Sequence, residues 1–292
     1  MIHLQKDGAT MDIALLGAEM REFQSADGKQ RLWSGSPEVW KSTAPVLFPV
    51  IGMLKNGAIE IEGKTYQPPK HGFAKLMPFE VSEQGEDFVT LTLKQNEETK
   101  KVYPFDFALS VTHRFVKDGF ETRYTVENHS SRAMPFAIGG HPGFRCPMNE
   151  GEQFEDYVLR FEKPETGEHL LCTPEHYVGG SAIVDLGADQ RTLPLCYADY
   201  DRLDTYMFAG LHSRSVELVH RQTGKGIRVS FPEMEVLAIW TMPLKQAPYL
   251  CIEPWQGMPA YAEETGRFED KPYHVKLGVG CAYTCGYRME VI

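Results

Sequence analysis

The stretch FALSVTHRFVKDGFETRYTV (residues 107–126) indicates two β-strands joined by a tight turn. Apolar and polar side chains alternate with period two in residues 107–113. They alternate again in residues 120–126, where Phe, Thr, Tyr and Val fall on one face. Between the two runs, Asp118-Gly119 is typical of a hairpin turn. The stretch therefore predicts an antiparallel hairpin.

The same pattern of short strands and turn signals recurs along the chain. Turn residues occur at 62–64, 84–86 and 224–226, and the last set separates two further apolar runs. Helical periodicity is scarce, although Ser36 before Pro37 predicts one short helical turn over residues 36–40. We therefore predict an all-β fold, a large antiparallel β-sandwich, in which strand residues outnumber helix residues at least about threefold.

The length of 292 residues is compatible with one large all-β domain or two ordinary ones. Hydrophobic residues make up 42% of the chain, which is enough for a sizeable core. The chain shows no internal repeat, no low-complexity linker and no change in composition that would mark a boundary. We therefore expect a single domain over residues 1–292.

A net charge of −10 argues against binding to nucleic acid or to anionic membrane surfaces. No apolar run approaches the length of a transmembrane helix, and the first residues lack the apolar core of a signal peptide. We therefore expect a cytoplasmic protein, a monomer or homodimer, whose partner is a small molecule.

Six scattered cysteines form neither a disulfide framework nor a paired zinc-binding pattern. Most are expected to be buried small apolar residues. A metal site built from His141 and Cys146 is conceivable but disfavoured. We expect neither a metal nor a cofactor.

The segment CIEPWQG (residues 251–257) carries the first candidate for chemistry. An apolar run precedes Glu253, and Pro254 is expected to end the strand because proline cannot donate to a ladder hydrogen bond. Burial beside a tryptophan would raise the pKa of this carboxyl towards neutrality, which suits a general base. The alternative is a structural glutamate that satisfies backbone amides at a strand end.

Two histidine motifs add to this candidate. They are HGFA at residues 71–74 and GGHPGF at residues 139–144. Glycine lets the backbone approach a ligand closely and proline fixes the turn, while phenylalanine offers an apolar face. One histidine alone is more often structural. Two of them in such turns, together with Glu253, form a more specific set.

These three motifs, in this order, resemble the aldose 1-epimerase (galactose mutarotase) family, and most closely its LacX-like branch. Gly17-Ala18-Glu19, the blocks at residues 33–40 and 44–49, and Ile239-Trp240 extend the resemblance over nearly the whole chain. It implies a galactose mutarotase-like supersandwich. It also implies interconversion of the α and β anomers of a free hexose by acid–base ring opening, without cofactor or metal.

The resemblance also implies roles for individual residues. Glu253 takes the role of base, His141 that of acid, and His71 holds a sugar oxygen and assists at the ring oxygen. Asp204 matches an aspartate that accepts bonds from sugar hydroxyls, although a turn-capping role is an equal alternative. The aromatic residues expected to pack on the pyranose, with ordinary core positions as the alternative, are Phe73, Phe144 and Trp255.

One position departs from the family pattern. An arginine commonly follows the glycine of the block at residues 48–52, and here that position is Met53. Methionine cannot donate the hydrogen bonds that arginine gives to sugar oxygens. Lys55, placed in the substrate site, and Lys75 are candidates to compensate. The change puts substrate choice and binding strength in doubt.

Three other functions stay open. The first is a carbohydrate-binding protein that has lost turnover, which Met53 favours and the intact Glu253 and histidines oppose. The second is a hexose-6-phosphate 1-epimerase, which would need cations such as Lys55, Lys75 and Arg145 at the phosphate end. The third is a glycosidase, which normally needs two facing carboxylates where the chain offers one good candidate.

Overall fold

The computed structural model describes residues 1–292, and strands account for 46% of them. The strands are β1 (Ile2–Lys6), β2 (Ala9–Ile13), β3 (Met20–Gln24), β4 (Val46–Leu47), β5 (Ile59–Ile61), β6 (Lys64–Tyr66), β7 (Glu80–Gln84), β8 (Phe88–Lys94), β9 (Phe107–Val116), β10 (Gly119–Asn128), β11 (Met134–Phe136), β12 (Ile138–Gly140), β13 (Gly143–Arg145), β14 (Tyr157–Phe161), β15 (Glu168–Cys172), β16 (Val178–Ile183), β17 (Thr192–Pro194), β18 (Thr205–Ala209), β19 (Ser215–His220), β20 (Gly226–Ser230), β21 (Val236–Trp240), β22 (Tyr249–Gln256), β23 (Val275–Leu277) and β24 (Ala282–Val291).

Helices are few and short, as predicted. The two α-helices are α1 (Glu97–Val102) and α2 (Tyr197–Leu203), and four single 3₁₀ turns lie at Lys55–Gly57, Ala74–Leu76, Phe154–Asp156 and Phe268–Asp270. Asn96 caps α1 by accepting from the backbone N–H groups of Glu98 and Thr99. None of these helices has the length and apolar character that a membrane crossing requires.

The hairpins predicted from the sequence are confirmed. β9 and β10 pair from Val116 opposite Gly119 to Phe107 opposite Asn128, so Lys117 and Asp118 form the two-residue turn and Gly119 begins β10. The other three turn signals join β5 to β6, β7 to β8, and β19 to β20. The turn residues alone were enough to predict these hairpins, because each turn connects strands that are neighbours both in the sequence and in the sheet.

The segment at residues 36–40 forms a single turn but no helix. Ser36 Oγ accepts from the N–H of Glu38, at 3.2 Å, and the carbonyl of Ser36 accepts from the N–H of Val39, at 3.3 Å. However, the N–H of Ser36 donates to the carbonyl of Trp40, at 2.8 Å, which is the reverse of the direction in a helix. The segment therefore closes as a loop, and it presents Trp40 to the rest of the molecule.

Two large antiparallel sheets form the sandwich, which confirms the predicted fold class. One has nine strands in the order β17-β14-β19-β20-β24-β10-β9-β8-β7. The other has eight members: β16-β15-β18-β21-β22-β12-β4, with β13 also paired to β22. A cluster of 60 buried residues draws side chains from both sheets and forms the main core.

Strand β22 lies in the middle of the second sheet and uses both of its faces. Leu250 and Ile252 belong to the main core. Because side chains alternate along a strand, Cys251, Glu253 and Trp255 point to the opposite face. That face, and not the interior of the sandwich, is where the candidate chemistry lies.

The prediction that Pro254 ends its strand is wrong, since β22 continues to Gln256. The N–H of Ile252 donates to Pro142, away from β21. The nitrogen of Pro254, two residues on, faces the same side. The neighbouring chain on that side is not continuous, because β12 pairs with Trp255 and Gln256 whereas β13 pairs with β22 only up to Cys251. Residues 252–254 therefore have no strand partner on that side. No ladder hydrogen bond is therefore lost, and His141 occupies the interruption.

Candidate active site

A cavity of about 390 Å³ lies on the outer face of the eight-stranded sheet. Its floor is formed by β18, β21 and β22, which are neighbours in the sheet. Thr205 on β18 is paired with Trp240 on β21, and Ala238 on β21 is paired with Glu253 on β22. Its walls come from the loops that carry the two histidine motifs. The lining includes, among the residues predicted from the sequence, His71, His141, Glu253, Asp204, Trp255 and Met53.

His141 and Glu253 lie side by side at the bottom of the cavity. Nε2 of His141 is 3.2 Å from Oε2 of Glu253, and the two side chains are 11% and 2% exposed. The angle between them does not make a proper hydrogen bond, so Oε2 stays a buried acceptor without a partner. A buried acceptor left unsatisfied is costly, and it would be satisfied by a ligand hydroxyl.

Burial moves the pKa values of this pair in opposite directions. It raises the pKa of Glu253 well above the usual carboxyl range, and nearby Lys70 only partly opposes this. It lowers the pKa of His141 to about 3, with a further contribution from Lys75 and Lys70. The histidine therefore differs from the expectation of a pKa near neutrality. Both shifts favour the neutral form of the group concerned, a protonated carboxyl and an unprotonated imidazole.

His71 is fixed in one tautomer. Its Nδ1 accepts the backbone N–H of Gly52 at 3.1 Å, so Nε2 carries the proton and is a donor. Burial, together with the charges of His141 and Lys75, holds the pKa of His71 well below its usual value. Its ring lies 5.6 Å from that of His141. A neutral imidazole with a fixed donor is suited to holding an oxygen atom.

Asp204 lies at the end of α2 and faces the cavity across from Glu253. Its φ of 65° is in a region that non-glycine residues rarely occupy. Its Oδ2 accepts from the hydroxyl of Thr205 at 3.0 Å and lies 3.8 Å from Nδ1 of His176. The two roles expected for Asp204, a cap of a turn and a ligand for sugar hydroxyls, are compatible, since the residue ends a helix and also lines the cavity.

The aromatic predictions divide. Trp255 lines the cavity, and its buried indole N–H has no partner. Phe73 and Phe144 do not line it, because they are buried members of the main core. Phe73 packs edge-on against Phe48, and Phe144 pairs within the sheet opposite Leu250. These two phenylalanines are therefore ordinary core residues, which was the alternative expectation for them.

The cations also differ from expectation. Lys55 does not line the cavity, because its ammonium donates to the carbonyl of Glu264 at 2.9 Å. Arg145 is exposed and contacts Ser34. Lys75 does line the cavity, as does Lys70, which the sequence reasoning missed. Lys70 directly precedes His71, and that adjacency is the signal that could have identified it.

An aromatic wall was also missed. Trp40 lies 5.0 Å from the His141 ring and tilted against it, and Trp240 meets the same ring edge-on at 5.5 Å. Both tryptophans line the cavity. Together they exclude water from one side of His141, which accounts for part of its burial.

The motif Gly17-Ala18-Glu19 holds this wall in place. Oε1 of Glu19 accepts the backbone N–H groups of Thr43 and Ala44 at 2.6 and 3.0 Å, just beyond Trp40. Gly17, with φ +71°, packs so tightly on the backbone of Lys75 that a Cβ would lie 2.9 Å from its carbonyl oxygen. The turn therefore fixes two loops of the cavity relative to each other.

Comparison with known proteins places this fold and cavity in a family. A sequence model described as aldose 1-epimerase matches residues 1–278. The LacX protein of Lactococcus lactis subsp. lactis is 32% identical over 293 residues, covering 94% of each chain. A protein of Escherichia coli K12, provisionally named a glucose-6-phosphate 1-epimerase, is 30% identical over 92% of this chain and 86% of its own.

Solved structures agree. A galactose mutarotase-like protein from Lactobacillus casei superposes with a TM-score of 0.93 at 30% identity over 100% of both chains. A galactose mutarotase related enzyme from Lactobacillus acidophilus gives the same TM-score at 29% identity, over 100% of this chain and 97% of its own. The chain therefore belongs to the aldose 1-epimerase family.

Proposed function

We propose that this protein is an aldose 1-epimerase that interconverts the α and β anomers of a free hexose. The observation that carries the proposal is the convergence of His71, His141 and Glu253 on one cavity, although 182 positions separate the first from the last. A proton acceptor and a proton donor 3.2 Å apart match the two oxygens that are bonded to the anomeric carbon.

The proton balance of ring opening fits this pair. Ionised Glu253 takes the proton of the C1 hydroxyl, while protonated His141 gives a proton to the ring oxygen as the C1–O5 bond breaks. The products are an open-chain aldehyde, a neutral carboxyl and a neutral imidazole. Rotation about C1–C2 followed by closure reverses both transfers and gives the other anomer.

Burial of the pair favours the protonation state that accompanies the aldehyde, because it raises the pKa of Glu253 and lowers that of His141. Ring closure on the other face returns both protons, so the pair regains its starting state without exchanging a proton with solvent.

The remaining lining residues supply binding. The Nε2–H of His71 donates to a sugar oxygen near the ring, and Asp204 accepts from hydroxyls on the far side. The unpartnered indole N–H of Trp255 is a further donor. Trp40 and Trp240 take the packing role that the sequence assigned to Phe73 and Phe144.

A second candidate is a hexose-6-phosphate 1-epimerase. Lys70 and Lys75 both line the cavity of a protein whose net charge is −10, and two ammonium groups would attract a phosphate. The carbohydrate-binding alternative is opposed by the placement of a carboxyl and an imidazole 3.2 Å apart, an acid–base pair that binding alone does not require.

Polarimetry with freshly dissolved α-D-glucose, α-D-galactose and glucose 6-phosphate separates these candidates. The proposal expects accelerated mutarotation of a neutral sugar, and the second candidate expects it only for the phosphate. Tight binding of a sugar without any acceleration would leave the carbohydrate-binding function. Spontaneous mutarotation in buffer is the blank for each substrate.

The rate of mutarotation is expected to follow a bell-shaped pH profile. Its two limbs report the coupled titration of Glu253 and His141 and not that of either residue alone. Below the lower limb the pair holds two protons and lacks a base, and above the upper limb it holds none and lacks an acid. Burial lowers the pKa of His141 to about 3, which moves the acidic limb down. Burial raises the pKa of Glu253, which moves the basic limb up.

Polarimetric rates measured across the pH range, at saturating sugar and after subtraction of the buffer rate, test this profile. Activity should persist well below the usual imidazole pKa of about 6.5. A single acidic limb centred on that value would show that His141 titrates as a free imidazole and not as part of the pair.

Met53→Arg is expected to lower KM for a neutral hexose by roughly tenfold, the lower end of what a charged hydrogen bond contributes. Met53 lines the cavity and follows Gly52, which holds His71, so a guanidinium there would reach a sugar oxygen. The turnover number should change little because this contact is to a non-reacting atom.

Leu76→Arg is the matched control, because Leu76 is 58% exposed and does not line the cavity. It adds the same charge nearby and should leave KM unchanged. An unchanged or higher KM in Met53→Arg would show that the native sugar has no acceptor at that position.

A further inference from the structure

A third potential ligand group lies beside the catalytic pair but outside the cavity lining, and the proposed reaction does not use it. Cys251 lies two residues before Glu253 and points to the same face of β22. One donor atom each from His141, Cys251 and Glu253 lies within 4.8 Å of the other two. The thiol is buried and free of any disulfide.

We propose that His141, Cys251 and Glu253 form a binding site for a borderline-soft divalent ion of the Zn²⁺ type, and that this ion inhibits the enzyme. One imidazole nitrogen, one sulfur and one carboxylate oxygen are the donor types that zinc takes in proteins. Two of the three ligands, His141 and Glu253, line the cavity, so the fourth position of an ion held by this set would lie on the cavity side, as in accessible zinc sites.

The present hydrogen bonding leaves these donors available. Oε2 of Glu253 is buried without a partner, and Nε2 of His141 lies 3.2 Å from it without hydrogen-bonding geometry. Tetrahedral ligands at zinc bond lengths of about 2.0–2.3 Å lie roughly 3.3–3.8 Å from one another. The 3.2 Å between His141 and Glu253 is already close to this range, and the Cys251 sulfur, within 4.8 Å of both donors, can approach by rotation about its Cα–Cβ bond.

Charge favours zinc over magnesium. Binding would release the proton of the Glu253 carboxyl and that of the Cys251 thiol to solvent, against the burial that raises the pKa of both groups. The ion then meets one thiolate, one carboxylate and a neutral imidazole, so the buried group has no net charge. Magnesium requires octahedral oxygen ligands and gains nothing from a thiolate. Lys70 and Lys75 at the lining oppose any cation, so thiolate bonding is needed.

The inhibitory effect rests on the proposed function, because the ion would occupy the base and the acid together. Zn²⁺ should abolish mutarotation reversibly, a chelator should restore it, and Mg²⁺ in large excess should have no effect. Occupancy of the site itself does not depend on the reaction, so it can be measured without a substrate.

Co²⁺ is the probe of occupancy, because its bond to a thiolate gives a charge-transfer absorption band in the near ultraviolet. The wild-type protein should show this band, and Zn²⁺ should displace it. Cys251→Ser should lose the band and weaken Zn²⁺ inhibition by at least roughly 100-fold, since losing a ligand costs more than the 10–100-fold of an outer-shell change. Cys251→Ala should behave in the same way and covers the case in which serine disturbs folding.

Cys172→Ser is the control, because Cys172 lines the same cavity but is not among the three ligand groups. It should keep both the band and the inhibition. Equal inhibition of Cys251→Ser and wild type, or a band that survives in Cys251→Ser, would overturn the site. If no sugar is epimerised but the band depends on Cys251, the proposed function fails and the metal site stands.

Discussion

Glu253→Gln is expected to lower kcat by roughly 10²–10⁴, the usual contribution of general acid–base catalysis. The amide keeps the shape of a side chain that is only 2% exposed, but it cannot accept the proton of the C1 hydroxyl. Sugar binding should survive because His71, Asp204 and the tryptophan wall are unchanged. The measurement is polarimetry of a fresh α-anomer, corrected for spontaneous mutarotation.

Glu217→Gln serves as the control for this substitution. Glu217 pairs with Arg160 and Arg228 on the nine-stranded sheet, away from the cavity. Its loss should leave kcat unchanged. Wild-type turnover by Glu253→Gln, on a sugar that the protein demonstrably epimerises, would show that the base is another residue.

The sequence was most informative where function depends on local geometry. The glycines and prolines beside His71, His141 and Glu253 mark places where the backbone turns sharply or comes close to a ligand. The hairpin signal at Asp118-Gly119 was reliable for the same reason, because its two strands are adjacent in the chain. These features need no knowledge of distant contacts.

Features that depend on distant contacts could not be predicted. Lys55 bonds to Glu264, 209 positions away, and this removes it from the cavity. Trp40 reaches His141 only because Glu19 holds the loop behind it. No one-dimensional pattern shows on which side of β22 the ladder is interrupted, so the continuation of the strand through Pro254 was missed.

The phenylalanines show a different limit. Phe73 and Phe144 lie close to catalytic candidates in the sequence. However, the alternation of side chains along the backbone and the packing of the fold direct both phenylalanines into the main core. Trp40 and Trp240 line the cavity instead. Proximity in the sequence to a reactive residue predicts the location of a side chain poorly when the segment is a strand or a tight turn.

His141→Asn is expected to lower kcat by a similar factor of roughly 10²–10⁴. Asparagine keeps a polar group beside Glu253 but cannot deliver a proton to the ring oxygen. The double variant with Glu253→Gln should lose less than the product of the two single losses, because both groups act on one transition state. Polarimetry of the four proteins forms the cycle, and His220→Asn on strand β19 is the control.

The cycle has a clear opposite outcome. If the two single losses in kcat multiply in the double variant, Glu253 and His141 act in separate steps. Their closeness would then make no contribution to catalysis. A double variant no slower than either single variant would mean that the pair works as one unit. The 3.2 Å contact and the opposed pKa shifts of the two groups favour this strong form of coupling.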